Sequence, residues 1–232
     1  MQEFAENDDP ETPPRQTPMW QGVEADRRMQ VDHTFIWDAI VRDVDTGLEN
    51  TRVLDIGCNQ GGFLRRLADR ERIGQGYGFD VAIDAIEEAE SFVAGRPLHF
   101  AVAERVPQSW RNFDVAFSHE VLYLLHDIPM HAHEVFEALR PGGTYFAVLG
   151  AHADNPLTEL WHAALAKGRE MPPVYSLDDV ASAFDDAGFE VSARPLEVGF
   201  VPYPAHVFPS FYDALLYFAN HKIIFKFQRP FE

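Results

Sequence analysis

Between Arg52 and Leu64 the sequence reads RVLDIGCNQGGFL, a short apolar-rich run that breaks into closely spaced glycines and resumes with apolar residues at helical spacing. That pattern describes a buried strand running into a tight turn that opens a helix. A strand ending in small residues lets a ligand lie against the backbone, while the first N–H groups of the following helix lack intrahelical partners and point outward. Gly57, Gly61 and Gly62 permit the close approach. A phosphate loop would need a Lys-Ser/Thr pair after its last glycine, where Phe63 and Leu64 stand. A dinucleotide turn counted from Gly57 would have glycine in place of Asn59. Asn reaches left-handed backbone angles more readily than other non-glycine residues, so the turn itself survives this change.

The rest of the chain continues the alternation. Strands are expected at 52–57, 75–80, 97–103, 113–118 and 143–149, with helices at 62–70, 82–93, 120–126 and 130–139, the last ended by Pro141-Gly142-Gly143. Parallel strands need helix-length crossovers, so the fold class is α/β: a doubly wound, Rossmann-like sheet with helices on both faces. Helices at 156–168 and 176–187 follow, then a strand within Phe189–Phe200 and a final strand Ile223–Phe227. These two strands are expected to pair antiparallel at the C-terminal edge. Residues 1–18, with four prolines among acids, read as a flexible arm. The remainder, 19–232, reads as one domain, with a helical lid over 20–45 and an aromatic-rich insert over 198–218.

Composition narrows the function. A 46% hydrophobic share supports a substantial core, and no apolar run approaches the ~18 residues of a membrane helix. The acidic, proline-rich start lacks a signal-peptide pattern, which predicts a cytoplasmic protein that does not act on membranes. A formal charge of −18 repels a phosphate backbone, so no nucleic-acid partner is expected. The chain has one cysteine, Cys58, read as a small turn residue. Lysine occurs only at positions 167, 222 and 226, which fits a coding bias or salt adaptation as well as any function.

The turn resembles motif I of the class I S-adenosylmethionine-dependent methyltransferases, an acidic residue followed by glycine at alternate positions, here Asp55, Gly57, Asn59 and Gly61. Three further blocks resemble that family in order. Gly76 to Asp80 ends the second strand in a carboxylate about 20 residues beyond the turn, suited to two ribose hydroxyls. Asn112 to Leu122 resembles its fourth strand and the helix after it, and Ala138 to Thr144 the turn before its fifth. The resemblance covers about residues 50–150. It implies S-adenosylmethionine as cofactor and S-adenosylhomocysteine as product, contacted by Asp55, Gly57, Cys58, Asn59, Gly61, Asp80, Val81, Ala103, Glu104 and His119. The family's adenine-binding Asp is here Val102, which leaves Glu104 or the backbone at Ala103 for that role.

Methyl transfer from a sulfonium is an in-line displacement that needs position more than electrophilic help, and a base only when the acceptor starts protonated. Candidate bases are His119 and Glu120 at the end of the fourth strand and His152 beyond the fifth. The acceptor is expected to be a small, partly hydrophobic or aromatic metabolite met by Trp37, Tyr123, Tyr203 and His206. No metal is expected, the alternative being an ion held by Glu120 with Asp154 and Asn155. His131 and His133 are read as solvated. Other readings are a non-catalytic cofactor-binding relative and a nicotinamide oxidoreductase. The sequence allows a monomer or a homodimer.

Overall fold

A computed structural model describes residues 33–44, 47–159, 171–203 and 208–232. The arm expected at 1–18, most of the helix expected at 156–168, and His206 lie outside these residues. Seven strands form one sheet: β1 Arg52–Ile56, β2 Gln75–Asp80, β3 Leu98–Val102, β4 Phe113–His119, β5 Leu139–Leu149, β6 Glu190–Pro195 and β7 Ile223–Gln228. Their order is β3-β2-β1-β4-β5-β7-β6. Pairings from β3 through β5 are parallel, and β7 runs antiparallel to both neighbours. The C-terminal strand is therefore antiparallel, as expected, but lies one place in from the edge, which β6 occupies. The order reverses between β1 and β4, the place where an open α/β sheet opens a crevice beyond its strand ends.

Six helices flank the sheet within the described residues: α1 Thr34–Arg42, α2 Gly62–Arg70, α3 Ile83–Ser91, α4 Ile128–Ala138, α5 Leu177–Asp186 and α6 Phe211–Asn220. Each buries the stripe its sequence dictates. Ile36, Ala39 and Ile40 of α1 and Phe63, Leu64 and Leu67 of α2 pack with Val53, Phe117 and Phe146 on one face. On the other, α4 and α5 cover Phe113, Tyr145 and Phe227, with Phe184 stacked on Phe227 at a centroid distance of 3.7 Å. Among the described residues no helix is long and apolar enough to cross a membrane.

Several expectations are corrected. The helix at 120–126 is a single 3₁₀ turn, Leu122–Leu124. Pro141-Gly142-Gly143 lies inside β5, where the pairing with β4 shifts register between Phe113 and Val115. The last part of the aromatic insert, from Phe211 on, is the helix α6, whose start Ser210 caps by accepting from the Asp213 N–H at 3.1 Å. His131 is buried, 6% exposed, since it falls on the stripe formed by Ile128, Ala132, Val135 and Ala138. His133 is exposed, as its position on the opposite face requires.

Candidate functional site

The carboxyl end of β1 turns through three left-handed residues, Gly57 at φ +70°, Asn59 at +47° and Gly61 at +69°. Two contacts pin this turn to the end of β2: the Gly57 and Cys58 N–H groups donate to the Phe79 carbonyl at 2.9 and 3.0 Å. A third comes from Asp80, whose carboxylate accepts from the Asn59 N–H at 2.9 Å and from the Ala82 N–H at 2.9 Å. Burial raises the Asp80 pKa, opposed by N–H donation from Ala82, Asn59 and Val81. Asp55 is 5% exposed, and burial followed by the nearby Asp80 charge pushes its carboxyl well above the ordinary range. No hydrogen bond to the Asp55 carboxyl occurs among the described residues. A buried acid of this kind, beside a second acid and a glycine turn, suits a ligand that brings hydroxyls and positive charge.

Cys58 is buried, and burial with the Asp55 and Asp80 charges pushes its thiol up, so it stays protonated as a turn residue. Ala103 donates its N–H to the Asp80 carbonyl at 3.0 Å, which leaves only its carbonyl for a ligand, while Val102 is exposed and Glu104 half-buried.

A polar cluster adjoins the turn. A Cβ on Gly57 would lie 2.5 Å from Val121 Cγ2, so the residue just past His119 and Glu120 presses directly on the turn. Lys222, 2% exposed between α6 and β7, donates to Glu120 Oε1 and to His119 Nε2, the latter at 2.9 Å. Glu120 also accepts from the Gly150 N–H at 3.3 Å and the Tyr217 hydroxyl at 3.4 Å. Its φ is +60°, a conformation non-glycine residues avoid unless the surroundings hold it. The His33 ring meets His119 edge-on at 4.7 Å. Burial, then Lys222, lowers the His33 pKa to about 3 and that of His119 well below its ordinary value, so both rings are neutral. Tyr123, half-buried, has its phenol pKa raised by burial and Glu120.

These positions revise the expected roles. An ammonium only donates, so Lys222 occupies the His119 lone pair, and it neutralises Glu120; neither is a free base. His152 is 2% exposed, with Nε2 3.0 Å from the His221 carbonyl and Nδ1 buried without a hydrogen-bond partner, so it braces the chain instead of meeting an acceptor. Trp37 is a core residue against Phe63, their centroids 5.8 Å apart. Tyr203 is 78% exposed and among the described residues packs edge-on against Phe211, whereas Phe208 covers Tyr217 at 5.1 Å and Phe218 meets Phe35 of α1 at 5.5 Å. Asp154 accepts from the Leu177 N–H at 2.8 Å and the Asn155 amide donates to the Gly150 carbonyl at 2.6 Å, so both are engaged in the scaffold. No group of three or more metal-ligating side chains occurs among the described residues.

Sequence reasoning missed Lys222 and His33. The signal for the first was present: one of only three lysines stands at the mouth of the apolar run Ile223–Phe225. Nothing local marks His33.

A family model described as a methyltransferase domain matches residues 25–193. The fatty-acid O-methyltransferase of Mycolicibacterium smegmatis is 31% identical over 159 residues, covering 67% of this chain and 55% of that protein. The malonyl-[acyl-carrier protein] O-methyltransferase of Legionella pneumophila is 28% identical over 117 residues, 49% of this chain and 41% of its own. The chain thus spans about half the length of the curated relatives it matches. Among solved structures, a chain of the complex between the Haloferax volcanii Trm112 methyltransferase activator and a methyltransferase has a TM-score of 0.77 at 22% identity, covering 90% of this chain and 95% of that one. That likeness concerns the fold.

Proposed function

The chain belongs to the methyltransferase-domain family, and from that premise we propose that it moves a methyl group from S-adenosylmethionine to an oxygen of a small, partly hydrophobic metabolite. The observation that carries this reading is the left-handed turn of Gly57, Asn59 and Gly61 tied to the Asp80 carboxylate beside the buried Asp55. In this reading Gly57, Cys58, Asn59 and Gly61 give the cofactor a backbone surface. Asp80, already oriented by the Asn59 and Ala82 N–H groups, keeps lone pairs for two hydroxyls. Asp55 supplies a buried carboxyl without a hydrogen-bond partner among the described residues, and Val81, Ala103 and Glu104 border the base. Bound there, S-adenosylmethionine would supply an electrophilic methyl to the acceptor's lone pair, the carbon–sulfur pair leaving with the sulfur. The oxygen acceptor follows both curated relatives, named as O-methyltransferases.

What the chain contributes is position. Val121 against Gly57 fixes the end of β4 to the turn, so an acceptor resting on the polar cluster is held at one distance from it. Calorimetry tests the reading. The protein is expected to bind S-adenosylmethionine and S-adenosylhomocysteine. Asp80→Asn, which keeps the shape but loses the charge and one acceptor position, is expected to weaken both by about tenfold or more. Unaltered affinity in Asp80→Asn would remove that residue from the site, and binding without labelled methyl transfer to any acceptor would favour a non-catalytic binding protein.

A further inference from the structure

We propose that His33, His119 and Lys222 form a seat for a carboxylate on the methyl acceptor. The proposal rests on the methyltransferase reading above and names the acceptor group that its site takes.

The argument starts from Lys222. Its backbone is held on both sides, the N–H by the Tyr217 carbonyl at 3.1 Å and the carbonyl by the Leu196 N–H at 2.7 Å, so the side chain enters the cluster from a fixed origin. Burying an ammonium with a carboxylate brings little or no stability over apolar residues of the same volume. The Lys222–Glu120 pair, with Glu120 in a left-handed conformation, is therefore not accounted for by folding alone. Since Lys222 donates to His119 Nε2, His119 carries its proton on Nδ1, and that N–H is a donor directed away from the lysine. The neutral His33 ring beside it, partly exposed at the start of α1, has no hydrogen bond among the described residues and adds a second N–H. Glu120, the cluster's one carboxylate, already accepts from Lys222, Gly150 and Tyr217.

The cluster thus offers N–H donors beside a lysine already paired with Glu120, and the unprotonated nitrogen of His33 is a weak base, because burial and Lys222 lower that ring's pKa to about 3. An alcohol or an ammonium acceptor must lose a proton to react and finds no strong base in the cluster to take it. A carboxylate arrives ionised, and its transfer moves no proton: one oxygen forms the bond to the methyl carbon, and the carbon–sulfur pair leaves with the sulfur. The product ester is neutral and loses the charge-assisted contacts that held the acid.

The experiment uses the full chain with labelled S-adenosylmethionine and octanoate, palmitate, octanol and octylamine, together with calorimetric binding of S-adenosylhomocysteine. Methyl esters are expected from the acids, and no product from octanol or octylamine. His33→Ala is expected to raise KM for the acids about tenfold with a smaller change in kcat and unchanged S-adenosylhomocysteine affinity. Lys222→Met alone strands Glu120 as an unpaired buried charge, so the double variant Glu120→Gln/Lys222→Met, which leaves no net charge, is compared with it. The double variant is expected to bind S-adenosylhomocysteine and to lose the acids. Methylation of octanol or octylamine instead of the acids overturns the seat, as does cofactor binding with no ester from either acid, or an unchanged acid KM in both His33→Ala and the double variant. Failure of the wild type to bind S-adenosylhomocysteine removes the methyltransferase reading itself, and the seat with it.

Discussion

A methyl group added to Gly57 would meet Val121 at 2.5 Å in a backbone held at φ +70°, so two separate costs fall on one atom. Gly57→Ala is expected to destabilise the protein by about 2 kcal/mol in urea denaturation, with cofactor affinity falling further because Val121 and the end of β4 must shift. At this scale the sequence was informative where chemistry is local. The left-handed positions Gly57, Asn59 and Gly61 coincide with the residues whose types allow them, and Asn59 fills its place as its short amide side chain permits. Asp80 was legible for the same reason, standing at a strand end in a pattern of fixed spacing. Side chains whose meaning comes from a distant partner were not. His119 and Glu120 lie where a base belongs, yet Lys222, brought back by the whole of α5, β6 and α6, takes the proton-accepting site of one and the charge of the other.

Elements follow their caps and stripes. Ser176 begins α5 with a reciprocal box, its Oγ accepting from the Asp179 N–H at 3.0 Å while Asp179 Oδ2 accepts from the Ser176 N–H at 2.8 Å. Ser176→Ala is expected to cost about 1 kcal/mol of stability, measured by thermal or urea unfolding, without altering cofactor affinity. Where periodicity is long, as in α4 and α5, element type could be read from the chain. It failed in short connections: residues 120–126 carry helical spacing but are held to one turn by the left-handed Glu120 at their start and the Asp127 cap of α4 after them. The aromatic insert misled for a related reason. Its rings look alike in sequence, but α6 turns Tyr217 and Phe218 inward and leaves Tyr212 outside, a division made by the helix cap and not by composition.

Across the whole molecule, burial sets the pH response. His131 sits against the Tyr145 hydroxyl at 3.3 Å, and burial lowers its pKa from 6.5 to about 4. Between those values the unfolded chain binds a proton that the folded chain refuses, so the stability held above pH 6.5 is lost as pH falls toward 4. Asp55 and Asp80, whose pKa values are raised, respond with the opposite sign. Comparison with His131→Gln isolates the histidine: the wild type's advantage is expected to shrink by up to about 1.4 kcal/mol per pH unit through that window and to be constant above it, as urea denaturation at several pH values would show.

The sequence by itself determined the alternation of strand and helix, the parallel frame, the glycine turn and the carboxylate after the second strand, because each depends on residues close together along the chain. Only the tertiary structure decided what stands opposite that turn. It inserted β7 between β5 and β6, carried Lys222 into contact with His119 and Glu120, and set His33 beside them. Those contacts join residues about a hundred positions apart, and pairing of that range is selected by packing of the folded sheet and not by any local pattern.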